Sequence, residues 1–272
     1  MTTSIHTNTS AMIALQNLNR TNDQLAATQS RVNTGLKVQG AKDNAAVWAV
    51  AQGQRADKGS LEAVTTSLNR ATSIADVSLA AGEQISDILL EMKQKATAAA
   101  DPSATAASKA SYNAEFQSLI ESIDSFAKNA IFDGANILDG TATAALDFLA
   151  SADAVETISL NPQDLSATGL GLSTLDLTTN AAAALTAVTQ AITDSSARLA
   201  DLGAQAKQIE RHTTFISKLS DSLEAGIGNL VDADLAKERA RLQALQVQQQ
   251  LGVQALSIAN QAPQVILSLF QN

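Results

Sequence analysis

Side chains that could carry out chemistry are few in this sequence. The chain contains no cysteine, which excludes a disulfide framework and thiolate catalysis or metal ligation. Its two histidines are His6, in a polar tail, and His212, which we interpret as an exposed helix residue. No second histidine lies four residues from His212, and the glycines form neither a phosphate-binding loop nor a dinucleotide fingerprint. We therefore predict a protein that is not an enzyme and that needs no cofactor or metal.

The distribution of charge in the chain predicts that its partner is protein and not nucleic acid. A net charge of −9 argues against phosphate binding, which requires a basic surface. Residues 242–272 contain no charged side chain and mix aliphatic residues with nine glutamines. Their longest apolar run, Val265–Leu267, is far shorter than the roughly twenty residues of a membrane span. We expect this segment to be covered by protein, in particular by copies of the same chain.

Aliphatic residues recur at helical spacing over most of the chain. The first stripe has the alternating three- and four-residue steps of a coiled coil, with Asn22 and Gln29 as polar interruptions among Ala11, Leu15, Leu18, Leu25, Val32 and Leu36. A break at Gly35 and Gly40 precedes a long helix over about 45–100, which Pro102 terminates. Trp48 is interpreted as a packing residue at a hinge just after this break, with an anchor between subunits as the alternative. A third helix has Tyr112, Phe116, Leu119, Ile123 and Phe126 on one face.

The helical period disappears between Phe132-Asp133-Gly134 and about Thr179. Asp-Gly is typical of a turn, and short apolar runs after it, Ala154–Leu160 and Leu170–Leu177, predict a few β-strands within about 133–179. A fourth helix over about 181–223 and a last helix beginning near Asp232 follow, separated by Gly226 and Gly228. This order is nearly palindromic, so the two halves can pair antiparallel. We predict a mainly α fold, a long antiparallel coiled-coil or bundle rod with a small β-hairpin region near the middle of the chain.

Motifs at both ends of the chain resemble those of the bacterial flagellins. The segments that carry the resemblance are Ile5–Asn8, Arg31–Lys37, Ala41–Ala46, Asp232–Asp234 and Ala259–Gln264. Phe132-Asp133-Gly134 is similar to the turn that closes the N-terminal helical half in this family. The resemblance covers roughly residues 1–140 and 185–272. Trp48, Lys42 and Asn44 depart from the usual pattern.

The resemblance implies a structural subunit that self-assembles into the helical filament of the bacterial flagellum, for swimming motility. Residues 1–44 and 229–272 would pair as an inner domain, and residues 45–228 would form an outer helical rod. The subunit would be exported unfolded through the flagellar type III apparatus, polymerise at the tip and be located outside the cell. The start of the chain lacks the features of a cleavable leader, which agrees with that route. The implied partners are copies of the chain, the export apparatus, an export chaperone, and hook-associated and cap proteins, with no nucleic acid and no membrane insertion.

Self-assembly is expected to depend on the aliphatic residues of the terminal helices. These are Leu15, Leu18, Leu25, Val32, Leu242, Leu245, Leu251, Leu256, Ile258, Val265 and Leu269. In the family the last helix lines a channel through which new subunits pass, which makes Gln248, Gln250 and Gln254 candidate channel-lining residues.

Three further positions correspond to those that an animal Toll-like receptor contacts in many flagellins. They are Lys93, Thr97 and Glu115, where receptor-competent members have arginine, leucine and glutamate. Lysine lacks the planar fork of arginine, and threonine lacks the apolar contact of leucine. The resemblance therefore implies weak or no activation of the receptor.

Two other functions are compatible with the sequence. A hook–filament junction protein would share flagellin-like ends but would be present in few copies, and the short β region and near-complete C-terminal motif favour the bulk subunit. A soluble coiled-coil adaptor for a partner helix would form a stable dimer or trimer and would leave the uncharged segment 242–272 unexplained. Self-seeded growth into long filaments distinguishes these possibilities.

Overall fold

The structure is a computed structural model that describes residues 7–269, with side chains up to Gln261. Its elements are α1 (Thr9–Thr34), α2 (Ala45–Ala99), α3 (Ala106–Asn129), β1 (Leu146–Leu149), β2 (Thr157–Leu160), α4 (Leu177–Val231) and α5 (Leu235–Leu269). The chain divides into two compact units, residues 1–56 with 223–272, and residues 57–222. The prediction of a mainly helical fold with one small hairpin near the middle of the chain is confirmed.

In the first unit, the connection that contains the predicted break at Gly35 and Gly40 pairs with the short connection between α4 and α5. Gly35 ends α1 in the left-handed conformation with φ 72°, which glycine adopts without strain. The amide of Lys37 donates to the carbonyl of Val231 at 2.6 Å, and the amide of Ala233 donates to the carbonyl of Gly35 at 2.8 Å. These bonds hold the start of α5 beside the end of α1, so that the two helices run back along each other.

A small apolar cluster lies next to these connections. Its buried members are Val38, Ala51, Ile227 and Val231, and Trp48 packs against them, which confirms the interpretation of Trp48. The predicted end of the fourth helix near Leu223 is wrong, because α4 continues through Gly226 and Gly228 to Val231. A glycine inside a helix costs about 1 kcal/mol relative to alanine. Burial of Ile227 and Val231 offsets that cost here.

The second unit contains residues 57–222, with the hairpin and parts of α2 and α4. Its largest fully buried side chains include Leu61, Leu68, Ile85, Met92, Phe116 and Ile123. The predicted buried face of α3 is partly wrong, since Phe126 is 41% exposed while Ile120 and Ala127 are buried. Positions 116, 120, 123 and 127 follow alternating four- and three-residue steps, and position 126 lies off that face.

The β region is a single antiparallel hairpin of β1 and β2. The prediction of a strand at Leu170–Leu177 is wrong, because the chain forms turns there until α4 begins at Leu177. Phe148 faces Ile158 across the two strands, and both side chains are buried. The predicted Asp-Gly turn before it is confirmed, since Asp133 and Gly134 have positive φ of 48° and 76°.

Two contacts attach the hairpin to the helices of the second unit. The amide of Leu149 donates to the hydroxyl of Ser67 on α2 at 3.1 Å. Nε2 of His212 on α4 lies 2.7 Å from the carbonyl oxygen of Ala150 and donates to it. The interpretation of His212 as an exposed residue is therefore wrong, because this bond holds the ring half-buried beneath the hairpin.

Candidate self-assembly site

Helices α1 and α5 pack antiparallel along a narrow seam. The least exposed positions of α5 are Glu238, Leu242, Leu245, Gln249, Gly252, Leu256 and Ala259. On α1 the corresponding positions are Ala11, Ala14, Leu18, Thr21, Leu25, Thr28 and Val32. Both sets follow the alternating three- and four-residue steps of a coiled coil. The seam is therefore a coiled-coil contact in which small and polar side chains occupy many of the inward positions.

The structure separates the predicted assembly residues into two groups. Those that lie in the seam of one subunit are Leu18, Leu25, Val32, Leu242, Leu245 and Leu256. Three others, Leu15, Leu251 and Ile258, are exposed. The side chains of Val265 and Leu269 and the whole of His6 lie outside the described residues.

The prediction that Leu15 belongs to the α1 seam is wrong. The seam passes through Ala14, Thr21 and Thr28 instead, and both threonines are buried. Thr21 tolerates burial because its hydroxyl donates to the carbonyl of Asn17 at 2.9 Å. The signal in the sequence was the seven-residue spacing of these three positions, which a search for large aliphatic residues does not detect.

Other large apolar side chains are also exposed on the two helices. Met12 and Ile13 on α1 are 62% and 60% exposed, and Val247 and Val253 on α5 are exposed as well. On α5, positions 247, 251 and 258 lie on one face of the helix. Apolar side chains exposed together mark a surface that another protein covers. The lack of charge over residues 242–272 is the sequence signal for this surface.

The glutamines of α5 divide between the seam and the surface. Gln248, Gln250 and Gln254, the predicted channel-lining residues, are all exposed. Gln249 is instead half-buried, and its Nε2 donates to Oδ1 of Asn22 on α1 at 2.8 Å. Exposed amides form hydrogen bonds with water but carry no charge. The surface that they form is polar and electrically neutral.

Polar contacts also join the two helices at the ends of the described seam. Asn8 caps α1 by accepting from the amide of Ala11 at 3.1 Å, and its Nδ2 donates to the carbonyl of Ala259 at 2.7 Å. At the other end, Arg31 lies 3.5 Å from Oε1 of Glu238, whose side chain is 11% exposed. The second carboxylate oxygen of Glu238 has no hydrogen-bond partner among the described residues.

The three positions that were predicted from the resemblance as receptor contacts lie in the second unit. Lys93 and Thr97 are exposed one turn apart on α2, where they line a shallow groove with Leu90. Glu115 on α3 forms an ion pair with Lys95, and the hydrogen bond between them raises the pKa of Lys95. The carboxylate of Glu115 is therefore already engaged within the subunit.

Other kinds of site are not found in the described part of the chain. Within residues 7–269, no three His, Asp or Glu side chains are grouped so that they could hold a metal ion. None of the helices there combines the length and the apolarity that a membrane crossing requires. The paired helices α1 and α5 thus remain the candidate functional site.

Family models and known proteins match this chain. The family model of the bacterial flagellin N-terminal helical region matches residues 5–143, and that of the bacterial flagellin C-terminal helical region matches residues 185–270. Flagellin FljK of Caulobacter vibrioides is 51% identical over 98% of both chains, and a flagellin of Brucella melitensis is 38% identical over 98% of this chain and 99% of its own length. A crystal structure of Bacillus cereus flagellin matches with a TM-score of 0.49 at 26% identity, over 54% of this chain and 86% of that one.

Both family matches fall on the helices that build the site, with the N-terminal match containing α1 and the C-terminal match containing the described part of α5. The relatives match over nearly their whole length, so the short middle of this chain is shared with them. The junction-protein and adaptor alternatives are not favoured. The chain belongs to the bacterial flagellins, and it is a structural subunit of the extracellular flagellar filament, not an enzyme.

Proposed function

We propose that residues 1–44 and 229–272 form the inner domain of the filament and that residues 45–228 form the outer rod. The exposed aliphatic side chains of α1 and α5 support this arrangement. Met12, Leu251 and Ile258 are each more than half exposed in one subunit, and residues 242–272 carry no charge to solvate such a surface. In a helical homopolymer these side chains are covered by the same helices of neighbouring subunits.

The composition of the seam supports a second part of the proposal, that α1 and α5 fold only during assembly. Isolated helices of this length are marginal in water and need packing to persist. The seam offers little packing, because alanine, threonine, glycine and glutamine occupy many of its positions. Contacts with neighbouring subunits supply the missing burial, so that folding and incorporation are coupled.

Terminal segments that are unfolded before assembly are compatible with the export route that we propose for the chain. The flagellar type III apparatus would pass the unfolded subunit, an export chaperone would cover its aliphatic end segments beforehand, and the cap would direct folding at the tip. Hook-associated proteins would provide the first surface for α1 and α5. Each of these partners would recognise the aliphatic residues that the subunit leaves exposed, such as Leu251 and Ile258.

Amide hydrogen exchange of monomer and filament tests the coupled folding. We expect residues 9–34 and 235–261 to exchange rapidly in the monomer and slowly in the filament. The buried part of α2 around Leu68 and Met92 should be protected in both and serves as the internal control. Strong protection of both terminal helices in the monomer would contradict the proposal.

We also propose that Gln248, Gln250 and Gln254 face the central channel. Their exposed, neutral amides support this placement, since they would neither attract charged segments of a passing chain nor offer it a continuous apolar surface. For the outer rod, we propose weak or no activation of the Toll-like receptor. Lys93 and Thr97 lack the expected side chains, and Lys95 already engages Glu115.

A further inference from the structure

Asn22 and Gln249 form the middle one of three polar contacts along the α1–α5 seam, between those of Asn8 and Arg31. Asn22 is half-buried, and Gln249 is the only glutamine among the described residues of α5 that is not exposed. Their side chains join at 2.8 Å, Nε2 to Oδ1. From one contact to the next, the residue number rises along α1 and falls along α5. All three contacts therefore belong to one antiparallel register.

The aliphatic part of the seam selects this register only in part. Leu18, Leu25 and Val32 lie seven residues apart, so sliding α5 by one heptad keeps the spacing of the coiled coil, although it brings Leu245 or Ala259 against Leu18 in place of Gly252. Such a slide moves the helix by about 10 Å along its axis. It separates Asn22 from Gln249 and places Leu242 or Leu256 beside Asn22 instead.

We propose that the Asn22–Gln249 pair specifies the register in which α1 and α5 pair. A slip that places Leu242 beside Asn22 would leave both amides without each other at half-buried positions, which is unfavourable. We expect this pair alone to favour the native register roughly ten-fold, equivalent to about 1.4 kcal/mol. A single buried polar pair has the same effect in other coiled coils.

The inference rests on the proposed function, in which the pairing forms while a subunit joins the filament. A subunit in a slipped register would displace the exposed Leu251 and Ile258 by about 10 Å relative to α1. Its surface would then no longer match that of its neighbours, since every subunit in a helical polymer repeats the same contacts. The amide pair therefore determines which folded form can be incorporated.

Introduced disulfides can report the register, because the chain has no cysteine of its own. Thr28 and Leu242 lie on facing helices between the Asn22 and Arg31 contacts, so Thr28→Cys with Leu242→Cys reports the native register. Thr21→Cys with Leu242→Cys reports a slip of one heptad. A disulfide needs Cα atoms within about 7 Å, so a single register cannot form both. Filaments are oxidised and dissolved. Chains with an intramolecular disulfide are then quantified on non-reducing gels as monomers that migrate faster than the reduced chain.

Both reporters are compared in the parent, in Asn22→Leu with Gln249→Leu, and in a control with the exposed Asn19→Leu and Gln243→Leu. We expect the parent and the control to form at least about ten-fold more native than slipped disulfide. The leucine pair at 22 and 249 should lower this ratio roughly ten-fold. If that variant forms the native disulfide as selectively as the parent, the inference is wrong.

A variant that exchanges the two amides covers the case in which the leucine pair does not assemble. Asn22→Gln with Gln249→Asn keeps a hydrogen-bonded pair, so it should assemble with the native disulfide, and its failure would overturn the inference. The proposed function fails separately. If the parent monomer forms the native disulfide in full before assembly, folding is not coupled to incorporation and that part of the proposed function is wrong. The ratio of native to slipped disulfide still tests the register inference in that case.

Discussion

Gly252 on α5 lies directly against Leu18 of α1, and replacing it tests whether the packing of the two terminal helices limits assembly. A Cβ atom built at Gly252 lies 3.2 Å from Cδ1 of Leu18, 3.8 Å from its Cβ and 4.0 Å from its Cα. Carbon atoms pack favourably at about 3.5–4.0 Å, so the first of these contacts is too short and the other two are ordinary. Alanine at this position requires Leu18 to shift by a few tenths of an ångström.

Two opposing effects determine the size of the change. Alanine is the better helix former, and Gly→Ala in a helix stabilises by roughly 0.5–1 kcal/mol where nothing is in contact. Overpacking of a well-packed contact costs typically 1–3 kcal/mol. We expect Gly252→Ala to weaken assembly by about 1 kcal/mol, and Gly252→Leu to weaken it further because its branch must enter the space that Leu18 occupies.

The assay is the critical concentration for seeded polymerisation of purified monomer. A loss of about 1 kcal/mol raises this concentration roughly five-fold. The matched control is Gly53→Ala on α2, also in the first unit, where a Cβ meets nothing within 4 Å. The control should polymerise at least as well as the parent. If Gly252→Ala also lowers the critical concentration, the close approach does not limit assembly and the reasoning is wrong.

Three further outcomes are expected. The hydroxyl and amide of Thr178 donate to Asp176 and hold the pKa of this carboxyl below its usual 3.8. The carboxylate therefore stabilises the folded state fully above about pH 4. This stabilisation is lost as the pH falls through the lower pKa that Asp176 has in the folded state. Asp176→Asn should thus flatten the acid limb of the melting temperature plotted against pH, and an unchanged limb would contradict this. Monomer should give no nanomolar signal in a Toll-like receptor reporter assay, whereas Lys93→Arg with Thr97→Leu should increase the signal; strong activation by the parent would refute the assignment. Replacing Gln248, Gln250 and Gln254 by leucine should slow filament growth in cells while the first subunits are still exported, and unchanged growth would argue against a channel-lining role.

The sequence was sufficient for features that depend on local chemistry and periodicity. The connection at Gly35 requires a left-handed residue, the Asp133-Gly134 turn requires positive φ, and both were predicted from residue type. The long α2 was predicted because its apolar stripe keeps one register until Pro102. The family was recognised from motifs at the two ends of the chain, which are the segments that pair with each other.

Only the tertiary structure decided which side chains face which partner. The uncharged composition of residues 242–272 predicts that they are covered, but it does not separate Gln249, which bonds to Asn22, from Gln248 and Gln250, which are exposed. Leu15 was predicted to lie in the seam because it is large and aliphatic, yet Thr21 and Thr28 are the buried residues. Helical spacing alone does not decide which of two neighbouring helix faces is buried when small and polar residues can be buried as well. The direction of a side chain is then determined by the helix packed against it.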